Sequence, residues 1–421
     1  MKQFQIMVEK DYALQTWLKQ IRSYCERSHV FAGSMLFRLY SDTVDEAFIR
    51  PVLARITEAF PDAACAGSTS GGNIVHGSLV DAHVSVTCTI FEDPDTRVRI
   101  VQLPMSRISQ KESVEKLLSV IDTIPDLKAV EIMTTMSNVD MPAFCSALHT
   151  IDDTVRIYGG GANACDVVNG DVKNTFVFSN KGEIARYSAV FILLSGRELH
   201  VSTRYLTGWS RIGRNFRVTA AKDNILLELE HRPALEIYQK YLGIPTDEHF
   251  FKLANVFPLY FGSKGDSYMR IVTSWNDDGS LRLGGFIEDE QDCCIAYGDP
   301  EHILKSLEDC FVHVRDFSPQ VIQLFSCVAR KYFWGNASVS QETLPFEALS
   351  PVSGYYTSGE FLRTRENVRM HNSTIVVVAM REGNPEVRTE AFQIYGAELS
   401  HHMRVGNCLA VYVNALADEM Q

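Results

Sequence analysis

Apolar runs and amphipathic stretches alternate along the chain in an order that recurs. Met35-Leu36-Phe37-Arg38-Leu39-Tyr40 is an apolar run, residues 45–60 place apolar positions at helical spacing, and a small-residue run from Ala63 enters a Gly/Ser/Thr turn ending at Gly72. The succession returns with Ala129-Val130-Glu131-Ile132-Met133, residues 141–149 and the stretch VRIYGGGAN at 155–163. It returns again with Val321-Ile322-Gln323-Leu324-Phe325, residues 342–349 and VSGYYTSGE at 352–360. A further apolar run follows each turn, at 84–88, 189–194 and 374–378. The pattern predicts strand, helix, strand, glycine turn, strand, three times over. A fourth, weaker copy runs from 224–227 through Pro233 and Gly243 to 259–262, where the turn GSKGD is polar, and ends at 268–272.

Between these units, Leu14, Trp17, Leu18, Ile21 and Tyr24 predict an amphipathic helix over 11–27, packed on the first sheet. Helices are also expected over 112–124, ended by Pro125-Asp126, over 231–241, stopped by Gly243 and Pro245, and over 301–310, opened by Asp299-Pro300. Residues 169–194 alternate like a hairpin, 208–213 read as a loop, and 218–224 turn into a strand that ends at Glu230. Asp277-Asp278-Gly279 is a hairpin turn. Residues 386–421 read as helix interrupted at Gly406, which implies a dimerisation helix, a lead into another domain, or a helix folded back on the sheet. The fold class expected is mixed α/β, with the repeated units in two sheet-based halves and helices at both ends.

The charge balance narrows the partners. Against 40 basic residues stand 52 acidic ones, a net charge of −12 over 421 residues, which disfavours nucleic acid or an anionic membrane. The first ten residues lack an apolar signal core, and no apolar run approaches the ~20 residues of a membrane span. A cytoplasmic setting is expected, in which the ten cysteines, without a framework of paired spacings, serve as small buried hydrophobes.

Motifs for catalysis are absent. Gly159-Gly160-Gly161 lacks the GxGxxG spacing, and there is no phosphate-binding GxxxxGK[ST] loop, GxSxG elbow, HExxH helix or CxxC pair. Cys327, three residues before Arg330, is a candidate nucleophile whose alternative is a buried cysteine at a strand end. His76, His83, His371 and His401-His402 are candidate ligands, and without a CxxCH site any haem would be noncovalent. Recognition is the chemistry that remains. Glycine turns offer backbone N–H donors, Arg330 offers a planar fork for a carboxylate, and Glu360 offers an acceptor for an ammonium. Together they fit a small zwitterion such as an amino acid, provided the turns converge in space. The alternative for Arg330 is an ion pair with Glu342.

The order of these motifs is similar to that of the FIST sensory domain family. The matching stretches are Ala66-Gly67-Ser68-Thr69-Ser70-Gly71-Gly72, Gly159-Gly160-Gly161-Ala162, Val218-Thr219 with Asn224 and Pro233-Ala234-Leu235-Glu236-Ile237-Tyr238, residues 281–300, Cys327-Val328-Ala329-Arg330, residues 354–360 and His371-Asn372-Ser373-Thr374. Together they span roughly 31–380, and their colinearity is more specific than any one of them. Two positions depart from the family's pattern: Asn73 stands where a glutamate is usual, and Ser358 where many relatives have glycine. The resemblance implies an N-terminal helix at 1–30, a FIST N-like domain at 31–217, a FIST C-like domain at 218–383 and a helical tail or linker at 384–421. It also implies a cytoplasmic input module for small ligands, without catalysis or resident metal, that signals to a diguanylate cyclase, histidine kinase or other output. Some members of the family are haem-dependent nitric-oxide sensors, for which His371 is the candidate axial ligand. The ligand-contacting positions expected are Ser68, Thr69, Gly160, Gly161, Ala162, Cys327, Arg330, Gly359, Glu360 and Asn372.

Overall fold

Each of the three long apolar runs forms a strand buried on both faces. Met35–Ser41, Leu127–Thr134 and Val321–Cys327 each pair in parallel with the strand entering the next glycine turn, Ala64–Thr69, Arg156–Gly161 and Val352–Thr357 respectively. On its other side each pairs antiparallel with the strand that closes its unit, Val84–Ile90, Ser188–Ser195 or Ile375–Glu382. The structure, a computed structural model, describes residues 1–30, 34–164, 174–263, 266–287, 291–365 and 367–394, with Leu409, Val411, Tyr412 and Ala415 near the end of the chain.

A parallel pair requires a crossover. The first two units supply it as the helices Glu46–Ala59 and Met141–His149, each capped by an aspartate side chain, Asp45 or Asp140. In the third unit the helix expected over 342–349 is replaced by a short α-helix, Val328–Trp334, and two 3₁₀ turns, Val339–Glu342 and Leu344–Ala348. Pro345, at the start of the second turn, has no N–H to give.

One glycine sets the units in register with one another. A Cβ on Gly67, Gly159 or Gly354 would lie 2.4, 2.0 or 2.1 Å from the carbonyl oxygen of Leu39, Ile132 or Leu324, its partner on the neighbouring strand. No side chain fits that approach, so each unit needs glycine there.

The strands beyond each turn do not return to their own sheet. Asn73–Val75, after the first turn, pairs with Val352–Thr357 of the third sheet. Val177–Ser179, after the second, pairs with Ala64–Thr69 of the first, and Glu360–Arg363, after the third, pairs with Arg156–Gly161 of the second. The exchange is cyclic and interlocks the two halves of the chain. It also corrects the hairpin expected over 169–194: its described strands, Val177–Ser179 and Ser188–Ser195, belong to different sheets.

Strand alternation then divides the core. Val190, Ile192 and Leu194 join Tyr40, Tyr158, Phe325, Tyr355 and Val376 in a core shared by all three sheets. Ala189, Phe191 and Leu193 face outward onto the helices Gln110–Ile121 and Met141–His149. Helices Asp11–Ser28 and Glu46–Ala59 cover the first sheet in the same way, and Pro300–Phe317 covers the third. With both faces covered, the strands read as unbroken apolar runs, and each fully buried Leu, Ile or Phe contributes about 1.5–3 kcal/mol.

At the centre, the residues just before Leu39, Ile132 and Leu324 are Arg38, Glu131 and Gln323. Arg38 donates to Glu131 through Nε at 2.9 Å and Nη2 at 2.7 Å, both side chains wholly buried. Gln323 donates to Tyr40 Oη at 2.6 Å and accepts from Ser353 Oγ at 2.7 Å.

The fourth copy is a different structure. From Trp209–Lys222 to Asp292–Gly298 the strands form an antiparallel sheet with no parallel pair among the described residues. The expected loop at 208–213 lies within the long strand Trp209–Lys222, which shifts register between Ile212 and Asn215. The hairpin around Asp277-Asp278-Gly279 joins Val272–Trp275 to Leu281–Leu283 as expected. Residues 264–265 of the GSKGD turn lie outside the described residues. In the tail, residues 386–394 carry no helix, and most of 395–421, with His401-His402, lies outside the described residues. Tyr412 is buried and donates to Ile212 O at 2.9 Å, while Val411 packs on Gly243, so this part of the tail is folded back on the antiparallel sheet.

Candidate functional site

The three glycine turns converge on one end of the assembly. Gly71 N donates to Tyr356 O at 2.7 Å and Tyr356 N to Gly72 O at 2.9 Å; Asn163 N donates to Thr69 O at 3.0 Å; Gly161 N donates to Gly359 O at 2.8 Å and Ser358 N to Gly161 O at 3.0 Å. Convergence has therefore used the amides that the sequence offered to a ligand, and these N–H groups bond neighbouring turns. Ser68 and Thr69 are wholly buried, with their hydroxyls on the backbone carbonyls of Thr69 and Phe176. Gly160 lies beneath Tyr355, whose Oη donates to Gly160 O at 2.9 Å, and Ala162 O accepts from Ser358 Oγ at 2.7 Å.

Arg330 does not reach a ligand site. Wholly buried, it donates to Glu342 Oε2 through Nε at 2.9 Å, pairs with Oε1 through Nη2, and donates through Nη1 to Thr207 O at 2.6 Å and Ser373 O at 2.8 Å. Its guanidinium also lies 4.7 Å from the centre of the Trp209 ring. The fork is occupied by Glu342, the alternative partner named from the sequence.

Beside the turns opens a cleft of about 730 Å³, within the range of small-molecule sites. Asn163 and Ser358 of the second and third turns line it together with Val328. Met136, Val139 and Met141 come from the segment after the strand Leu127–Thr134, and Phe251 and Tyr332 add aromatic surface. The antiparallel sheet contributes Asn224, Ile271, Thr273, Asn276, Arg282, Leu283 and Phe286. Apolar side chains and polar groups line it in similar measure, so it can both bury part of a small organic molecule and fix its orientation.

Three charged side chains stand in this lining: Arg107, Asp223 in the turn after the strand Trp209–Lys222, and Arg282 on the strand Leu281–Leu283. Asp223 Oδ1 pairs with Arg107 Nη2 at 2.7 Å, and Arg107 lies 5.6 Å from the Phe286 ring centre. Arg282, exposed, has no carboxylate partner among the described residues. Leu283 N donates to Asn224 O at 2.8 Å and Ile287 N to Asp223 O at 3.0 Å, which holds the two strand ends side by side. None of the three was singled out from the sequence, although the buried, exposed, buried order of Leu281, Arg282 and Leu283 marks Arg282 as the residue facing out of its hairpin.

Cys327, Glu360, His371 and Asn372 lie outside this lining, in the protein interior. Burial pushes the Glu360 carboxyl well above its ordinary range, against the opposing pull of Thr357, Arg330 and Cys327. Burial likewise raises the Cys327 thiol, with the Glu360 charge adding to the effect, so the thiolate a nucleophile needs is disfavoured. His371 is pushed down to about 3, first by burial and then by Arg270 and Arg369, and its ring stacks on Tyr205 at 5.6 Å. Its burial leaves no face for a porphyrin, and no histidine lines the cleft, so neither His371 nor the cleft fits a haem. Gly359 packs against Met370, where a Cβ would meet its sulfur at 2.5 Å.

Residues 37–232 match the FIST N domain and residues 234–363 the FIST C domain. Among curated proteins none matches the sequence. A solved structure of a cyanuric acid hydrolase from A. caulinodans shares 7% identity over 49% of this chain and 71% of its own, with a TM-score of 0.27.

Proposed function

Because the chain belongs to the FIST family, whose domains are small-ligand sensory domains, we propose that it is a signal-input module that binds a zwitterion of the amino-acid kind in the cleft beside the glycine turns. The observation that carries this reading is that Arg282 and Asp223 line the same cleft from adjoining segments of backbone. Arg282 takes the carboxylate, the ammonium joins Arg107 on the Asp223 carboxylate, and the ligand's side chain lies against Met136, Leu283 and Val328. Arg282 and Asp223 replace Arg330 and Glu360 in the roles assigned from the sequence.

The module acts by binding, without catalysis or resident cofactor. Its ligand joins the three-sheet body to the antiparallel sheet, since each lines one part of the cleft, and the tail seated on that sheet at Tyr412 passes the change to an output protein or domain. No helix among the described residues is long and apolar enough to cross a membrane, which is compatible with the cytoplasmic setting we assign.

A thermal-shift screen over the twenty amino acids tests the reading. At a ligand concentration a hundred times Kd the expected stabilisation is about 2.7 kcal/mol. Arg282→Ala removes the shift. A panel in which no compound moves Tm, or a hit that Arg282→Ala leaves unchanged, defeats the proposal.

A further inference from the structure

Directly behind one wall of the cleft lies a group of buried polar atoms without partners. Glu360 Oε2, Asn372 Oδ1, Ser326 Oγ, Ser373 Oγ and His371 Nε2 have no hydrogen-bond partner. All five residues belong to the strand ends of the third unit and its exchanged hairpin: Glu360 is the register partner of His371, and Cys327, next to Ser326, donates its N–H to Thr374 O. Leaving one such group unmade costs about 1–3 kcal/mol, so a cluster of five calls for an explanation beyond packing.

What separates this cluster from the cleft is thin. Ile271, which lines the cleft, packs in one apolar cluster with Cys327, whose thiol is close enough to the Glu360 carboxyl for each to influence the other's ionisation. Gly284 also lines the cleft, and a Cβ there would lie 3.0 Å from Asn372 Oδ1 and 2.6 Å from Ile271 Cγ1. Met370 completes the partition: it lines the cleft, and its sulfur accepts from Asn372 Nδ2 at 3.8 Å.

Charge defines what the cluster would accept. Two buried cations lie nearby: Glu342 holds Arg330 in a two-point pair, and Arg270 is spent on the carbonyls of Met269, Phe286 and Met370, which leaves Glu360 as an acid without an ion-pair partner of its own. Glu360 Oε2, Asn372 Oδ1 and the two serine hydroxyls offer acceptors to a donor with several protons and a positive charge. A primary ammonium has both.

We propose that Ile271 and Gly284 form the entrance to a deep subsite, and that Glu360 and Asn372 there bind the terminal ammonium of a diamino acid whose head group is held at Arg282 and Asp223. The proposal rests on the cleft reading given above and names the ligand class within it: lysine or ornithine rather than an apolar amino acid. The stem of such a ligand lies along the apolar side chains of the cleft, and Ile271 turns aside to admit its end. Burial disfavours the Glu360 carboxylate and an ammonium favours it, so binding is expected to be linked to release of a proton.

Calorimetric titration of the full chain with L-lysine, L-ornithine and L-norleucine, the last nearly matching lysine in shape without the terminal charge, tests this. Lysine or ornithine is expected to bind at least roughly tenfold more tightly than norleucine, with release of about one proton read from two buffers of different ionisation enthalpy. Glu360→Gln abolishes both the preference and the proton, and Asn372→Ala, a second route should Glu360→Gln fold poorly, reduces the preference. Norleucine binding as well as the diamino acids do, with Arg282→Ala still abolishing it, overturns the deep subsite and leaves the cleft reading standing. No binding of any of the three overturns both.

Discussion

The centre of the three-sheet assembly and the end of its third sheet are equally shut off from water, yet they treat polar groups in opposite ways. At the centre Arg38 bonds Glu131, and Gln323 bonds Tyr40 and Ser353, around positions that are equivalent in the three units, and of this group's described neighbours Tyr158 alone leaves a hydroxyl unmet. At the end of the third sheet Ser326, Glu360, His371, Asn372 and Ser373 each leave an atom unmet. The antiparallel sheet inserted after the second unit accounts for the difference. It covers only the seam between the second and third turns, so the near-symmetry that satisfies the centre is broken there, and a cleft forms where the two bodies meet. Rigidity resides where the repeats agree, and recognition where one of them has been given a different neighbour.

The contrast is broken most severely at its rigid pole. Arg38→Ala leaves Glu131 buried and unpaired, and the expected loss is about 3–5 kcal/mol, read from urea unfolding of the purified variant. A loss under about 1 kcal/mol, the scale of an exposed pair, would mean that the centre is wetter than its geometry implies.

The next effect concerns the slope of stability with pH, and it separates two residues that face each other in one hairpin. Glu360 has its folded pKa raised from an ordinary 4.5, so above that pH the unfolded chain releases a proton the folded chain keeps, and stability falls as pH rises toward the folded value. His371 has its folded pKa lowered from 6.5 to about 3, so the stability it contributes is present above pH 6.5 and is lost as pH falls toward 3. Each contributes a slope of about 1.4 kcal/mol per pH unit while only one state is titrating. Below 6.5, where the two windows overlap, the slopes oppose each other. Glu360→Gln should therefore flatten the decline that Glu360 contributes above pH 4.5, as chemical denaturation at intervals from pH 5 to 8 would reveal. An unchanged slope in the variant would place the Glu360 titration in the ordinary carboxylate range.

Much of the rigid pole was legible from the sequence, and little of the other. A strand that ends in glycine against a neighbour's carbonyl oxygen imposes the same short-range pattern in each unit, which is why Gly67, Gly159 and Gly354 announce the repeat. The cyclic exchange left no such trace, because Asn73 pairs with Tyr355 through contacts far apart in the chain. Arg330 was legible only as a pair of alternatives, since its partner Glu342 arrives through 3₁₀ turns that replace the expected helix. Arg282 carried no signal above that of any exposed arginine on a hairpin arm, and Arg38 and Glu131 read as single charged residues inside apolar runs. What made them a pair was the closing of three sheets around one core.

The smallest effect sharpens the contrast most directly, since it compares one atom at each pole. Ser353 Oγ donates to Gln323 Oε1 at 2.7 Å, whereas Ser326 Oγ, on the neighbouring strand of the same sheet, has no partner. Removing the first hydroxyl forfeits a hydrogen bond and strands a buried acceptor, a loss of about 1–2 kcal/mol. Removing the second deletes a desolvated group that gains nothing in the unliganded fold, so Ser326→Ala should be neutral within about 0.5 kcal/mol or mildly stabilising. Equilibrium unfolding of Ser353→Ala and Ser326→Ala under identical conditions gives the two values. Equal losses would mean that the hydroxyl at 326 is met by bound water, and the third sheet's end would then be as fully satisfied as the centre. A loss confined to Ser353→Ala leaves the unmet atoms as the part of the molecule whose polarity has no use until something binds.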